Sequence, residues 1–296
     1  MVHRTRIGRT ILALGIAGLV AAPGLVQAQT VTRRIHMFVP GRAASTASTN
    51  TGGSLLYFGG PVVAQAKVVI VLWGSNVAKA TAAGVKPFFQ PLTNSNYTDQ
   101  MAQYSTVGIT GVNGRPGTNQ TIRRGSVVGK FRITPANTSK NLTDGDIQTE
   151  LQGQIAAGVL PAYDANTLYM LYFPASITIS LGKYKSCVYF GGYHEGISSG
   201  GTPLLAYGVM PDCNGGFASM TIVSSHEYAE AVTDVLPTPG SNPDYPQAWN
   251  DANGYEVGDL CEGRNATLTR RGTVYTVQEI FNNATNACAT GNFTSP

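Results

Sequence analysis

The chain has 296 residues, with 20 Lys plus Arg against 16 Asp plus Glu, and only 12 % of its residues are charged. Arg4, Arg6 and Arg9 fall in a segment that reads as a removable leader. Losing these three leaves 17 basic residues against 16 acidic ones, so no basic stripe remains to hold nucleic acid or an anionic membrane surface.

The leader has three parts. The arginines form a positive start, Ile11 to Val20 an apolar stretch, and Val26-Gln27-Ala28 supplies the small residues of a cleavage site. Pro23 and Gly24 interrupt the apolar run well short of the roughly 20 residues that a spanning helix requires. Residues 1–28 are therefore expected to be a signal peptide, and the protein secreted, extracellular or periplasmic. Residues 29–54 include the run Ala43-Ala44-Ser45-Thr46-Ala47-Ser48-Thr49-Asn50, too poor in apolar surface to order itself, and read as a flexible leader. A single domain is expected over 55–296.

Within that domain, Lys67 to Trp73 (KVVIVLW) is a β-branched apolar run suited to a strand buried on both faces. Asn76 to Phe89 has helical spacing, with Asn76 placed as N-cap. Tyr97 to Tyr104 adds a short helix, Gly108 to Gly117 a turn-rich loop, and Thr121 to Ile133 a strand or hairpin arm. Leu142 to Ala157 reads as an amphipathic helix capped by Thr143 or Asp144. Thr167 to Phe173 (TLYMLYF) is a second buried strand ending at Pro174, and Ser186 to Phe190 and Leu204 to Met210 are shorter strand candidates. Trp73, Tyr169, Tyr172 and Tyr189 fit core packing. The expected class is mixed α/β, or α+β: a central mixed sheet, a helix bearing the site and an irregular, disulfide-bonded C-terminal part.

Cys187, Cys213, Cys261 and Cys288 are even in number and, in an exported chain, read as disulfides with three pairings open. Sequential pairing closes two loops of moderate size and is the first choice. The spacing fits no compact Cys-rich zinc site.

The chemistry concentrates in Ser219 to Asp234, SMTIVSSHEYAEAVTD. Read as a helix capped by Ser219 or Thr221, it places His226 and Glu230 one turn apart on one face, where both can ligate a single ion. Glu227 follows the first ligand directly and can take a proton from a metal-activated water. This is the physics of H-E-x-x-H with a carboxylate in place of the second histidine. An exposed helix with solubilising glutamates is the bland alternative. Against it stand the apolar helix and the scarcity of histidine, since His36, His194 and His226 are the only ones beyond the leader.

A third ligand is sought in Trp249 to Cys261, where Glu256 and Asp259 are candidates. HEYAEAVTD with a later Glu and Asp resembles the thermolysin-like arrangement, HExxHAVTD with a ligand Glu and an orienting Asp. That resemblance implies a zincin-like fold, Glu256 as ligand and Asp259 holding the His226 ring, although Asp259 follows Glu256 by three residues instead of four. Asp251, Asn253 and Glu256 are alternatively spaced like the oxygen ligands of a calcium loop. His194, in Gly191-Gly192-Tyr193-His194, either completes the metal set by folding back or is a surface residue of a turn. Asp234 is a further candidate for ligand or supporting residue. Zn is the expected ion, with Ca the alternative.

Several pieces recur in one order: Gly59-Gly60-Pro61-Val62-Val63 leading into KVVIVLWG, Tyr104-Ser105-Thr106, and Gly191-Gly192-Tyr193-His194 near Cys187. SHEYAEAVTD follows, then Glu256-Val257-Gly258-Asp259-Leu260-Cys261-Glu262-Gly263 and Tyr275-Thr276-Val277-Gln278 before Cys288. In this order the chain resembles the phosphate-induced protein, or exordium-like, family of secreted proteins. The resemblance implies an extracellular location and a link to cell-wall or growth functions, but no reaction. The residues themselves point to a zinc-dependent peptidase, with a peptide or protein as partner. The alternatives are a non-catalytic extracellular protein with a structural Ca or Zn site, and a carbohydrate-binding wall module. Oligomeric state is not legible. No G-x-S-x-G elbow or P-loop is present to support other hydrolase chemistry.

Overall fold

The computed structural model describes residues 54–112, 114–198, 204–237 and 246–292. The segments expected as signal peptide (1–28) and flexible leader (29–54) lie outside the described residues, save for residue 54. In chain order the elements are β1 (Leu56–Tyr57), β2 (Gln65–Trp73), α1 (Lys79–Thr93), α2 (Asn96–Asp99), β3 (Arg123–Ile133), β4 (Asn141–Thr143) and α3 (Asp144–Ala156). There follow β5 (Thr167–Phe173), β6 (Thr178–Leu181), β7 (Tyr184–Lys185), β8 (Tyr193–Ile197), β9 (Leu205–Pro211) and α4 (Gly216–Thr233). The C-terminal part holds β10 (Trp249–Asn250), β11 (Asn265–Arg270), β12 (Thr273–Gln278), β13 (Ile280–Asn282) and β14 (Ala287–Ala289).

The central sheet has the order β3-β2-β5-β9-β8. Its first four strands are parallel, and β8 runs antiparallel at one edge. The apolar runs of β2, β5 and β9 divide by the two-residue period of a pleated strand. Val68, Ile70 and Leu72, with Leu168, Met170, Tyr172 and Met210, join one core layer. Val69, Val71 and Trp73, with Tyr169, Leu171, Phe173 and Val209, join the other. Parallel strands need both faces covered. Helices α1 and α4 cover the first face, whereas α3 and the small β4-β6-β7 sheet cover the second. The mixed α/β expectation is met at this level.

Helix α4 is enclosed from two sides, which explains its lack of a polar face. Toward the sheet, Tyr172 Oη and Ser224 Oγ share a hydrogen bond of 2.8 Å. Toward the C-terminal hairpin, Thr221 Oγ1 donates to the Thr276 carbonyl at 2.7 Å and the Gln278 N–H donates to Ser225 Oγ at 3.0 Å. Its polar residues His226, Glu227 and Glu230 are consequently as buried as Ala229 and Ala231.

Several local expectations need correction. Asn76 does not cap α1, which starts at Lys79 after Ala78 with no side-chain cap bond. The helix also runs past Phe89 to Thr93 through Pro87 and Pro91, because its apolar face continues through Phe88, Phe89 and Leu92. Residues 121–133 form no hairpin arm; β3 pairs in parallel with β2. Ser186 to Phe190 is no strand: Cys187 has φ of 63°, a left-handed conformation that breaks an extended run. Tyr189 is 50 % exposed and so is not core. Neither Ser219 nor Thr221 caps α4, which begins at Gly216. The capping box at α3 is present, with Thr143 and Asp146 satisfying each other's backbone N–H.

The disulfides pair sequentially, Cys187 with Cys213 and Cys261 with Cys288. The first ties the approach to β8 to the β9–α4 connection, and the second ties the segment after β10 to β14. Such bridges fit an oxidising compartment. Among the described residues no helix is long and apolar enough to cross a membrane. The bridges close loops of 26 and 27 residues, so the Cys261→Ser/Cys288→Ser double variant should lose about 3 kcal/mol of unfolding free energy. Urea denaturation of the oxidised proteins measures it.

Candidate functional site

Three elements converge on the middle of α4. The helix brings His226, Glu227 and Glu230. Edge strand β8 brings His194, because Tyr193 turns to the opposite layer, where its hydroxyl donates to Asp144 Oδ1 at 2.8 Å. The segment after β10 brings Glu256 and Asp259. His194 is thus neither in a turn nor on the surface: it is a strand residue, 3 % exposed, in register with Gly208.

The ligand-type atoms form two trios with one shared member. His226, Glu230 and Asp259 each offer an atom within 4.8 Å of the others, and so do His194, Glu227 and Glu230. His226 Nε2 is 3.1 Å from Glu230 Oε2 and 3.9 Å from Asp259 Oδ1. His194 Nδ1 is 3.4 Å from Glu227 Oε2 and 3.7 Å from Glu230 Oε2. Glu256 belongs to neither trio and instead places Oε1 3.4 Å from His194 Nε2. Asp259, expected behind the His226 ring, lies on its Nε2 side in the place expected for Glu256.

Both imidazoles are held in one tautomer by neighbours that leave no choice. Gln278 Nε2 donates to the Gly258 carbonyl at 2.6 Å, so Gln278 Oε1 is the atom that faces His226 Nδ1 at 3.1 Å and must accept its proton. The Asp234 carbonyl, 2.9 Å from His194 Nε2, can likewise only accept. In the neutral rings, His226 Nε2 and His194 Nδ1 then direct lone pairs at carboxylate oxygens. Such contacts are repulsive unless a cation or a proton lies between them.

The carboxylates are equally constrained. Glu230 Oε1 accepts the Asp259 N–H at 3.0 Å, while Glu230 Oε2 and Glu227 Oε1 are buried and accept no hydrogen bond among the described residues. Asp234 Oδ2 accepts from Asn250 Nδ2, so this side chain braces the β10 segment while its carbonyl holds His194. Asp251 receives the N–H groups of Asn253 and Tyr255 at 2.7 and 2.9 Å and the Asn253 amide at 3.3 Å, which closes a turn around its own carboxylate. Glu256 points away from that turn, toward His194.

Glycines admit this crowding. A Cβ on Gly258 would lie 2.7 Å from His226 Nδ1 and 2.8 Å from Glu230 Oε1, and one on Gly192 would lie 2.7 Å from Glu227 Oε1.

Burial dominates the electrostatics. It raises the carboxyls of Glu227, Glu256 and Asp259 above their ordinary range, and lifts Asp234 to about 7. Burial alone would lower His226, but Glu230, Glu227 and Asp259 outweigh it and push the ring to about 10. His194 is also raised well above its usual value, because Glu256, Glu227 and Glu230 overcome desolvation. For Glu230 burial opposes ionisation, yet the two imidazoles and the Asp259 N–H hold it below the ordinary value. These shifts share one cause: each gap between imidazole and carboxylate favours positive charge.

Gln278, Asn250, Gly192 and Gly258 received no role from sequence. Gln278, Gly192 and Gly258 do fall inside motifs of the family resemblance, the only signal that marks them; Asn250 has none. No protein-family model, curated protein or solved structure matches the chain.

A stability consequence follows from Asp234. Its folded-state carboxyl keeps a proton up to about 7, whereas an unfolded aspartate releases it near 3.8. The folded form binds more protons across that window, so stability falls as pH rises from about 4 to about 7. In chelator-treated protein Asp234→Asn should flatten this slope, as measured by unfolding midpoints at successive pH values.

Proposed function

We propose that the chain is a secreted, zinc-dependent hydrolase of zincin-like design, acting on peptide bonds. The observation that carries the reading is the pair of fixed tautomers: His226 Nε2 and His194 Nδ1 both face Glu230 Oε2, a buried carboxylate oxygen that accepts no hydrogen bond among the described residues. Ligand atoms on a tetrahedral zinc shell stand about 3.4 Å apart. The 3.1 to 3.9 Å separations among His226, Glu230 and Asp259 bracket that value. In this reading His226, Glu230 and Asp259 hold the ion, and Glu256 supports it by way of His194.

Bound zinc supplies Lewis acidity toward a substrate carbonyl and a water activated for attack. Glu227 takes the proton. Its Oε1 is buried without a donor, and burial has already raised its basicity toward the useful range. Gln278 and the Asp234 carbonyl hold the rings so that no reorientation accompanies the reaction. The ordered motifs shared with exordium-like proteins fit the extracellular setting and say nothing of the reaction.

A second reading has its own support. His226 and Glu230 are fully enclosed, and the Asp259 side chain, at 9 %, is the most exposed member of the two trios. A closed site of this kind suits a structural Zn or Ca ion in a non-catalytic extracellular protein.

Elemental analysis of the purified protein, with a peptide-hydrolysis assay before and after chelation, separates these readings. Hydrolysis lost on chelation and restored by zinc is expected; bound metal without turnover selects the structural role, and no metal removes both. Glu227→Gln should lower hydrolysis by about 100-fold or more while the ion at His226 stays bound.

Because the ion displaces the protons held on the rings, zinc uptake should release protons and tighten as pH rises. Calorimetry in buffers of different ionisation enthalpy reads this directly. Uptake without proton release would mean that the imidazoles are not ligands.

A further inference from the structure

The two histidines fall in separate trios, and Glu230 belongs to both. A single ion at ligand distance from His226 Nε2 leaves the second arrangement, His194 Nδ1 with Glu227 Oε2 and Glu230 Oε2, as it stands. Its separations of 3.4 and 3.7 Å are again those of neighbouring ligands on one metal shell, about 3.4 Å apart at tetrahedral angles. Glu230 is built to be shared: Oε1 is fixed by the Asp259 N–H, and Oε2 alone faces both imidazoles, at 3.1 and 3.7 Å.

We propose that this site holds two divalent cations bridged by Glu230, one on His226 and Asp259, the other on His194 and Glu227. The proposal rests on the metal-centre reading above and extends it from one ion to two. Charge supports it. Glu227, Glu230, Asp234, Glu256 and Asp259 surround the two imidazoles, and the described ion pairs bring no Lys or Arg to any of them. One divalent ion neutralises two of these carboxylates, and two ions neutralise four. The unpartnered oxygens support it independently: Glu230 Oε2 and Glu227 Oε1 are enclosed without a donor, one at the bridge and one beside the second ion.

A bridged pair sits about 3.5–4 Å apart and clamps a reacting oxygen between its members. The ligand set, one imidazole and two carboxylates per ion, suits Zn²⁺ or Mn²⁺ better than a thiolate-loving metal. Glu227 then ligates through Oε2 and keeps Oε1 for the proton. The substrate class that profits is one whose attacking water and leaving oxygen or nitrogen both need stabilising, an amide or ester.

The test is stoichiometry with a magnetic readout. The purified full-length protein, stripped with chelator, is titrated with Co²⁺ and followed by mass spectrometry under native conditions and by electron paramagnetic resonance. Two equivalents are expected, the second one quenching the signal of the first through spin coupling. His194→Ala should bind one equivalent with an uncoupled signal, and Asp259→Ala should likewise retain one.

One equivalent in the wild-type protein overturns the pair and leaves the single-ion reading intact. No binding overturns both. Two equivalents with independent signals place the second ion elsewhere and also overturn the bridge. Should either variant fail to fold, the wild-type titration still decides.

Discussion

The contact on which the site turns is the approach of Glu230 Oε2 to His226 Nε2, 3.1 Å inside a helix with no solvent around it. A carboxylate and an imidazole that close in water would be an ordinary ion pair of small net worth. Here the environment removes that option. Gln278 holds the ring proton on the far nitrogen, and Asp259 occupies the other oxygen of Glu230. What remains is a gap between two electron-rich atoms that some positive charge must fill. Desolvation makes an unfilled gap costly, so the fold has to carry either a trapped proton or a cation at its centre.

The rest of the architecture follows from enclosing that gap. A helix with a solvated face would have let His226 and Glu230 relax toward water. Helix α4 has none, because the sheet covers it from one side and β12 from the other. The antiparallel direction of β8 is equally consequential. The other strands of the sheet run parallel, and β8 enters from the opposite direction, with Tyr193 committed to the α3 side and His194 to the α4 side. Asp234 then couples the two, since its N–H closes the last turn of α4 on the Glu230 carbonyl and its own carbonyl accepts the His194 Nε2 proton. Helix, edge strand and C-terminal hairpin are therefore parts of one arrangement.

Much of this was legible in the residues. The runs KVVIVLW and TLYMLYF state their two-sided burial in composition alone, and the four cysteines paired in sequence. HEYAE named the helix and, by spacing, the approach of His226 to Glu230 on one face. What escaped was anything set by long-range contact. His194 looked like a turn residue because glycines precede it, yet Gly192 is there to let the backbone pass Glu227 Oε1. Gln278 stands 52 residues from His226 in a hairpin with no chemical signature, so only the folded chain discloses it. The exchange of places between Glu256 and Asp259 has the same origin. The short helical turn at Asp259–Cys261 swings Asp259 onto Glu230, and Gly258 at its start permits the close pass. Spacing along a chain does not encode which of two nearby acids a turn presents.

Burial also constrains how such a site can work. Of the three contributing elements, the segment from residue 251 to 262 carries the exposed side chains: Tyr255 is 42 % exposed and Asp259 partly open, while α4 and His194 are closed. Among the described residues, solvent therefore comes nearest to the cluster at Asp259 and not along the helix. The segment is joined to the core along its length: the Val257 carbonyl accepts the Phe281 N–H at 2.9 Å, the Gly258 carbonyl accepts Gln278 Nε2, the Asp259 N–H rests on Glu230, Val257 is buried in the core, and Cys261 is bonded to Cys288. A segment tied this way holds Asp259 against Glu230 as the hairpin holds Gln278 against His226, so the geometry of the cluster is set by the fold from both sides.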